Sequence, residues 1–207
     1  MGNNTHLNLN SILNDKIQSH ELTKWLKKKN KSYYDYQILT YKAVNDKKDV
    51  LINAPTGTGK TLAAFLGPLL NFNEDVKTGL FTTLYISPLK SLVYDIKRNL
   101  ETPIKETNLS INIEARTGDT SNYIKRKQIV NPPNFLITTP ESFALLMSYE
   151  NANKYFLNIK YIIIDELHNI IHTKRGDLLM LNISRLSTFS PFAVKIAISA
   201  TINNTKE

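Results

Sequence analysis

One short loop constrains this chain more than any other feature, because residues 54–61 read Ala-Pro-Thr-Gly-Thr-Gly-Lys-Thr. An apolar run at 50–52 precedes the loop and another at 62–66 follows it, which predicts a strand, a turn and a helix in that order. Gly57 and Gly59 can adopt the positive φ angles that let successive backbone N–H groups point at one anion in front of a helix N-terminus. The sequence therefore predicts a phosphate cradle rather than a chance turn before a lysine.

The side chains of this loop have the chemistry of a nucleoside triphosphate site. The pattern G-x-x-x-x-G-K-[ST] is met with one departure, since Ala54 stands at the first glycine and only has to tolerate the turn out of the strand. Lys60 would reach the β- and γ-phosphates, and the Thr61 hydroxyl would coordinate Mg²⁺. We predict that ATP and Mg²⁺ bind at Thr56, Gly57, Thr58, Gly59, Lys60 and Thr61.

The composition limits the class of protein. The 207 residues are 42% hydrophobic, enough for one substantial core, and we see no apolar run long enough to span a membrane or to act as a leader. The absence of cysteine excludes disulfides and thiolate zinc sites, so we expect a cytoplasmic protein. A net charge of +8 favours a polyanionic partner such as nucleic acid, although many soluble proteins are equally basic.

Downstream of the loop, apolar runs alternate with amphipathic ones. The predicted strands cover 80–87, 111–115, 134–138, 161–164 and 194–198, and the predicted helices cover 12–31, 35–44, 89–100, 121–130, 140–147 and 176–188. Strands that are apolar on both faces and joined by helices predict a parallel sheet covered by helices. We predict an α/β domain over 32–207, with a partly helical N-terminal extension over 1–31.

The strand predicted at 161–164 runs directly into the segment Asp165-Glu166-Leu167-His168. In an open parallel sheet, ligands bind beyond the carboxyl ends of the strands, so we expect both carboxylates to lie beside the glycine loop. Asp165 would hold Mg²⁺, directly or through water, and Glu166 would take the proton from a water that attacks the γ-phosphate. A pair that only caps the next helix is the alternative. The earlier glycine loop favours the catalytic interpretation, with Lys60, Asp165 and Glu166 as the catalytic residues.

Further polar side chains are expected near the same ends of the strands. His168 follows the acidic pair within a turn, and the last predicted strand ends in Ser199-Ala200-Thr201. A lone histidine is more often structural than catalytic, and the dispersed positions of the other histidines argue against a metal cluster. We predict that His168, Ser199 and Thr201 couple the nucleotide state to the last strand, with an ordinary strand-ending turn as the alternative.

Five segments, taken in order, resemble motifs I, Ia, Ib, II and III of the superfamily 2 helicases. These segments are 54–61, 87–92, 139–142, 165–168 and 199–201. Within that superfamily the closer likeness is to the large helicase-related, or Lhr-like, DNA helicases. That likeness rests on 84–90, 116–120, 137–142 and 173–176. The resemblance covers roughly residues 35–201 of the chain.

The resemblance implies that residues 32–207 form the first RecA-like, P-loop NTPase domain of an ATP-dependent motor. It places Gln37 where the family reads the edge of adenine, and a side-chain amide can both donate and accept there. The positions at which the family meets the sugar-phosphate backbone of one nucleic-acid strand are Pro88, Lys90, Thr117, Gly118, Thr139 and Glu141. Helix N-termini after Ser87 and Thr139 would offer free N–H groups to phosphates, and helix capping by these residues fits the same geometry.

The chain ends soon after Ser199-Ala200-Thr201, so we expect the second RecA-like lobe, with its arginine finger, to lie outside it. An arginine finger contributes about 10³–10⁵ to turnover, so we expect this chain alone to bind ATP weakly, to hydrolyse it slowly if at all and not to unwind duplexes. Two alternatives stay open. One is a non-catalytic module that binds nucleic acid or protein on the same fold. The other is an RNA helicase lobe, since backbone contacts hardly distinguish DNA from RNA, and only the family likeness favours DNA.

Overall fold

Six strands form one parallel sheet in the computed structural model, which describes residues 15–55, 57–72 and 80–200. The strands are β1 Val50–Asn53, β2 Thr83–Ile86, β3 Ile113–Arg116, β4 Phe135–Thr138, β5 Tyr161–Ile164 and β6 Val194–Ser199. Their spatial order is β1-β6-β5-β2-β4-β3, and every neighbouring pair is parallel. The carboxyl ends of these strands therefore lie along one edge of the sheet, which we call the carboxyl rim.

Helices connect the strands, as the predicted alternation requires. Their bounds are α1 Glu21–Lys28, α2 Asp35–Asn45, α3 Lys60–Leu70, α4 Lys90–Glu106, α5 Asn122–Val130, α6 Pro140–Met147, α7 Ala152–Phe156 and α8 Lys174–Phe189. The single helix predicted over 12–31 is wrong, because the chain breaks at His20, whose imidazole accepts the Leu22 N–H (3.1 Å) and caps α1. Within the described ranges, no helix combines the length and the apolar character that a membrane crossing needs.

Two apolar clusters cover opposite faces of the sheet. Tyr85 of β2 packs in the cluster that includes side chains of α2, α3 and α4, whereas Leu84 and Ile86 pack in the cluster that includes α6 and α8. This division follows from the pleat, which sends successive side chains of a strand to opposite faces. Every residue of β2, β4 and β5 is buried. The central strands are therefore covered on both sides, as their apolar sequences predict.

Strand β1 is less covered than the central strands of the sheet. Among the described residues it pairs only with β6, and Leu51 in its middle is 51% exposed. A strand at the end of a sheet has one neighbour instead of two, so part of its surface stays in contact with solvent. The glycine loop that follows β1 consequently leaves the sheet at an accessible edge.

The N-terminal helical residues pack onto the α/β unit. Ile17 and Leu22 are buried in the same apolar cluster as α3 and α4. The Trp25 indole N–H donates to the carboxylate of Glu106 at the end of α4 (2.6 Å). Residues 15–28 thus share the core of the larger domain, and the predicted domain boundary stays a prediction.

Candidate nucleotide and nucleic-acid site

The glycine loop leaves β1 and ends at the first turn of α3, which confirms the predicted order of strand, turn and helix. Gly57 has a φ angle of 79° and Gly59 has one of 88°, and Gly59 is the N-cap of α3. A Cβ atom would strain both conformations, so glycine is needed at each position. The Thr58 hydroxyl donates to the Pro55 carbonyl (2.8 Å) and closes the turn, whereas Thr56 lies outside the described residues.

Lys60 links two strand ends on the carboxyl rim. The residue is 8% exposed, and its ammonium donates to the carbonyl oxygens of Ala54 (2.5 Å) and Ser199 (3.3 Å). Both partners are neutral carbonyls, which accept two of the three N–H donors but do not neutralise the positive charge. A buried cation favours an anionic partner, so this ammonium is well suited to bind a phosphate.

The N-terminal turn of α2 braces the glycine loop from the side. The Tyr36 hydroxyl donates to the Thr58 carbonyl (2.7 Å), and the Gln37 amide donates to the Gly59 carbonyl (3.0 Å). The amide oxygen of Gln37 accepts the Tyr34 N–H (3.0 Å), and Gln37 is only 2% exposed. Both ends of this amide therefore bond protein atoms. A contact with adenine would require these bonds to be exchanged, and it stays a prediction.

Two hydrogen bonds fix the carboxylate of Asp165 just beyond β5. Tyr85 of the neighbouring strand β2 donates its phenol to Oδ2, and the Glu166 backbone N–H donates to Oδ1 (2.9 Å). Asp165 is 7% exposed and Tyr85 is fully buried. Burial, and after it the charge of Asp165, raises the pKa of Tyr85 well above its ordinary value, so the phenol stays protonated and remains a donor.

Glu166 has an unusual backbone conformation, with a φ angle of 51°, just before a single turn of 3₁₀ helix at Leu167–Asn169. Its carboxylate accepts from the Asn169 side-chain amide (3.1 Å) and lies 3.2 Å from Nε2 of His168. A left-handed conformation at a residue other than glycine costs about 1–3 kcal/mol and is concentrated at functional sites. The sharp turn keeps Glu166 on the carboxyl rim, next to Asp165.

His168 connects the acidic segment to the end of β6. Its Nδ1 accepts the Ala200 N–H (3.3 Å) and lies 3.1 Å from the Ser199 hydroxyl oxygen. Because a backbone amide can only donate, Nδ1 is the acceptor of the Ala200 N–H, and Nε2 faces Glu166. Glu166, His168 and Ser199 thus form one chain of polar contacts. Thr201, also predicted to take part in coupling, lies outside the described residues.

The residues predicted to contact nucleic acid fall into two groups, and the first lies between α4 and the turn after β3. The Lys90 ammonium binds both carboxylate oxygens of Asp119 (2.8 Å each), and the Thr117 hydroxyl lies 3.0 Å from that of Tyr94. A Cβ added at Gly118 would lie 3.8 Å from the Lys90 ammonium. The side chains of Lys90 and Asp119 are 54% and 66% exposed, so their ion pair contributes little to stability and a phosphate could replace its anionic partner.

The second group is joined by Arg175, near the start of α8. The Arg175 Nε donates to the Glu141 carboxylate (2.5 Å), and one of its terminal nitrogens donates to the Pro88 carbonyl (3.0 Å). Burial raises the pKa of Glu141, but hydrogen bonds from Arg175, a backbone N–H and Thr139, together with the charge of Arg175, hold that pKa below its ordinary value. Thr139 caps α6 by accepting the Ser142 N–H (3.4 Å). The structure therefore brings the segments after β2 and β4 together through a cation.

Comparison with known proteins decides the family. The family model described as DEAD/DEAH box helicase matches residues 34–207. The chain belongs to the DEAD/DEAH box helicase family. The Lhr-like relationship predicted from the sequence is confirmed as well, because the chain is 36% identical over 208 residues to the ATP-dependent helicase Lhr-Core protein 2 of Thermococcus barophilus. It is 38% identical over 176 residues to the Lhr helicase/uracil glycosylase of Escherichia coli.

This helicase domain corresponds to one part of longer relatives. The match covers 92% of the chain but 24% of the Thermococcus protein, and 76% of the chain but 11% of the Escherichia coli protein. A solved structure of the Mycobacterium smegmatis helicase Lhr, bound to ssDNA and AMP-PNP, matches with a TM-score of 0.79 at 35% identity, covering 87% of this chain and 24% of that one. The predicted RecA-like fold is thereby confirmed. The chain spans about a quarter of these Lhr relatives' length, or less.

The helicase domain has donors that fit Mg²⁺ held jointly with a nucleotide. In the part of the chain that the structure describes, no group of three or more histidine or acidic side chains could hold a metal ion alone. Mg²⁺ at phosphate-transfer sites typically uses one or two protein oxygens together with phosphate oxygens and waters. Thr61 in the first turn of α3 and Asp165 beyond β5 carry oxygen donors of this kind, and Lys60 carries a positive charge that suits phosphates.

Several residues that build this site have no role assigned by the sequence reasoning, namely Tyr36, Tyr85, Asp119 and Arg175. Tyr85, Asp119 and Arg175 lie inside segments that carry the Lhr likeness, and that location is the available signal in the sequence. For Tyr36, the signal in the sequence is its position next to Gln37, a predicted site residue. In each case the partner is distant in sequence, so the pairing becomes visible only in the fold.

Proposed function

We propose that this chain is the ATP-binding motor lobe of an ATP-dependent DNA helicase. The position of Lys60 carries the proposal, because its ammonium lies between the glycine loop and the end of β6 and, among the described residues, bonds neutral carbonyls there. Asp165 and Glu166 follow β5, which is hydrogen-bonded to β6. A cation for phosphates, a carboxylate for Mg²⁺ and a candidate base therefore share one rim of the sheet.

Binding would use the residues on both sides of the loop. Lys60 would exchange its carbonyl partners for phosphate oxygens, while Gly57 and Gly59 keep the backbone N–H groups turned towards the same anion. Thr61 and Asp165 would hold the metal ion. Mg²⁺, when bound with ATP, supplies positive charge that stabilises the charge developing on the phosphates. Gln37 would stabilise the conformation of the glycine loop through the hydrogen bond that its amide donates to the Gly59 carbonyl.

Hydrolysis would depend on Glu166, whose carboxylate is the candidate acceptor of the proton from the attacking water. His168 lies with Nε2 3.2 Å from that carboxylate and with Nδ1 3.1 Å from the Ser199 hydroxyl oxygen, so a change at Glu166 would be transmitted to the end of β6. Full turnover would require a second RecA-like lobe, because an arginine finger supplies about 10³–10⁵ of the rate in such enzymes. We therefore propose that the chain alone binds ATP and hydrolyses it slowly if at all.

Nucleic acid would bind along the same rim, at the N-termini of α4 and α6. A strand phosphate would compete with Asp119 for the ammonium of Lys90, and phosphates would also meet Pro88, Thr117, Gly118 and Thr139. Glu141 would act by holding Arg175, since a carboxylate repels a phosphate. DNA is favoured as the partner because the similar Mycobacterium smegmatis Lhr is bound to ssDNA in its solved structure.

Binding of a fluorescent ATP analogue tests the nucleotide half of the proposal. The wild type should bind the analogue with Mg²⁺, and Lys60→Ala should weaken binding about 10–100-fold, because charge-assisted hydrogen bonds contribute about 1.5–3 kcal/mol. Lys154→Ala is the matched control, since Lys154 is an exposed lysine on α7, before the amino end of β5. A wild type that ignored ATP and Mg²⁺ would instead be a non-catalytic module on this fold.

Competition between matched DNA and RNA oligonucleotides tests the nucleic-acid half. Single-stranded DNA labelled at one end should bind with a salt dependence that reflects phosphate contacts, and unlabelled RNA of the same sequence should compete less well than DNA. Equal or better competition by RNA would favour the alternative of an RNA helicase lobe. Lys154→Ala again serves as the control, because a lysine away from the carboxyl rim should leave the salt dependence unchanged.

A further inference from the structure

We infer that Tyr85 is a positioning residue that holds the Asp165 carboxylate in the orientation that Mg²⁺ binding requires. The inference rests on the proposed function and deepens it, since it concerns the same metal site. Tyr85 donates its phenol to Oδ2 of Asp165 across 80 positions of sequence. It would not touch the nucleotide or the metal ion, and it would act only through Asp165.

The ring of Tyr85 is fixed between the sheet and the helix that begins with Lys60. Tyr85 lies on β2, which is hydrogen-bonded to β4 on one side and β5 on the other. Its ring stacks on Phe65 of α3 with the centroids 5.3 Å apart and 22° between the planes. The residue is fully buried. Because α3 holds one face of the ring, the Tyr85 hydroxyl is directed at Asp165, just beyond the neighbouring strand β5.

The two oxygens of Asp165 have different partners, and this difference fixes the plane of the carboxylate. Oδ2 accepts from the Tyr85 phenol, and Oδ1 accepts from the Glu166 backbone N–H (2.9 Å). Each carboxylate oxygen has two lone-pair sites, so both retain capacity for a water or a metal ion. Without the phenol, one of these anchors is lost and the carboxylate can rotate about its terminal torsion. Partners of this outer-shell kind typically change metal affinity or activity 10–100-fold when removed.

The phenol of Tyr85 differs from those of other buried tyrosines in what it contacts. The Tyr161 hydroxyl accepts from the Asn71 amide (3.2 Å), away from the carboxyl rim. The Tyr155 hydroxyl is buried with no hydrogen-bond partner in the described part of the chain. Tyr155→Phe therefore removes a buried phenolic oxygen without breaking a described bond, which makes it a matched control for Tyr85→Phe.

The experiment measures the affinity of a fluorescent ATP analogue at increasing Mg²⁺ and in excess chelator. Tyr85→Phe keeps the ring and its stack on Phe65, so the metal-free affinity and the melting temperature should stay close to those of the wild type. The Mg²⁺ concentration at half-saturation should rise about 10-fold, the lower end of the outer-shell range. In an Asp165→Asn background, Tyr85→Phe should give no further rise, because the effect acts through Asp165. Tyr155→Phe should change none of these quantities.

Two results would overturn the inference while leaving the proposed function intact. An unchanged Mg²⁺ half-saturation in Tyr85→Phe would mean that the phenol does not orient Asp165. An equal loss of metal-free and Mg²⁺-dependent affinity would mean that Tyr85 only packs the domain. A wild type that binds no analogue under any condition would contradict the proposed function itself, and the inference would fall with it.

Discussion

Replacing Gly59 by alanine should destabilise this domain more than the same change at Gly57, and the difference reports on the brace from α2. Both glycines have positive φ angles, 88° and 79°, so an L side chain costs about 1–2 kcal/mol at either position. A Cβ at Gly59 would also lie 2.8 Å from Nε2 of Gln37, whereas one at Gly57 would meet no atom of the described residues within 4 Å. Only the Gly59 variant therefore combines backbone strain with a steric clash.

The clash cannot be relieved freely, because Gln37 is buried and both ends of its amide are engaged. Moving the side chain would lose one or two hydrogen bonds, each contributing about 0.5–1.5 kcal/mol. We expect the free energy of unfolding to fall by about 1–2 kcal/mol in Gly57→Ala. In Gly59→Ala it should fall by about 2–4 kcal/mol.

Urea unfolding followed by circular dichroism measures both changes on the same scale. In a Gln37→Ala background the clash is absent, so Gly59→Ala should then cost no more than Gly57→Ala. If Gly57→Ala cost as much as Gly59→Ala in the wild-type background, the brace from α2 would not exist in solution.

Three further predictions follow from the same rim. Burial raises the pKa of Glu141, but its hydrogen bonds and the charge of Arg175 together hold it below the ordinary value of 4.5, so these contacts stabilise the fold above that pH and the stabilisation is lost as the pH falls through the lowered pKa. Arg175→Gln should therefore weaken the pH dependence of the free energy of unfolding in this acid range, and an unchanged pH dependence would contradict the pairing. Lys90→Ala should reduce the slope of log affinity against log salt concentration for single-strand binding by about 0.7. Asp119→Asn should tighten binding, because it frees the Lys90 ammonium. An unaltered slope in anisotropy titrations of Lys90→Ala would mean that Lys90 does not contact a phosphate. In a protein that joins this chain to the proposed second RecA-like lobe, Glu166→Gln should keep ATP binding but suppress phosphate release, because an amide cannot accept the proton. Retained turnover would assign the base elsewhere.

The sheet was predictable wherever apolar runs were short and bounded by turns. Strand β5 matches its predicted span of 161–164, since Tyr161-Ile162-Ile163-Ile164 is followed at once by charged residues. Helix α4 was harder, because a proline at 103 suggests an earlier end. The helix continues to Glu106, and the buried side chain of Ile104 fixes its last turn to the core. Helix α7 has only five residues, too few to show a helical period.

The site was predictable where one segment carries its own chemistry, and not where two distant segments meet. The loop around Gly57 and Gly59 has a local rule, since positive φ angles favour glycine. The bond from Tyr85 to Asp165 joins residues 80 positions apart, and that from Arg175 to the Pro88 carbonyl joins residues 87 apart. Such pairs depend on which strands become neighbours in the sheet, and no local pattern specifies that order.

The most direct test is a crystal structure of this chain with Mg²⁺ and a non-hydrolysable ATP analogue. We predict that the Lys60 ammonium leaves the Ala54 carbonyl, now 2.5 Å away, and lies about 2.7–3.2 Å from phosphate oxygens, with the metal ion between Thr61 and Asp165. A nucleotide bound elsewhere, with Lys60 still on the Ala54 carbonyl, would contradict the assignment of this rim as the ATP site.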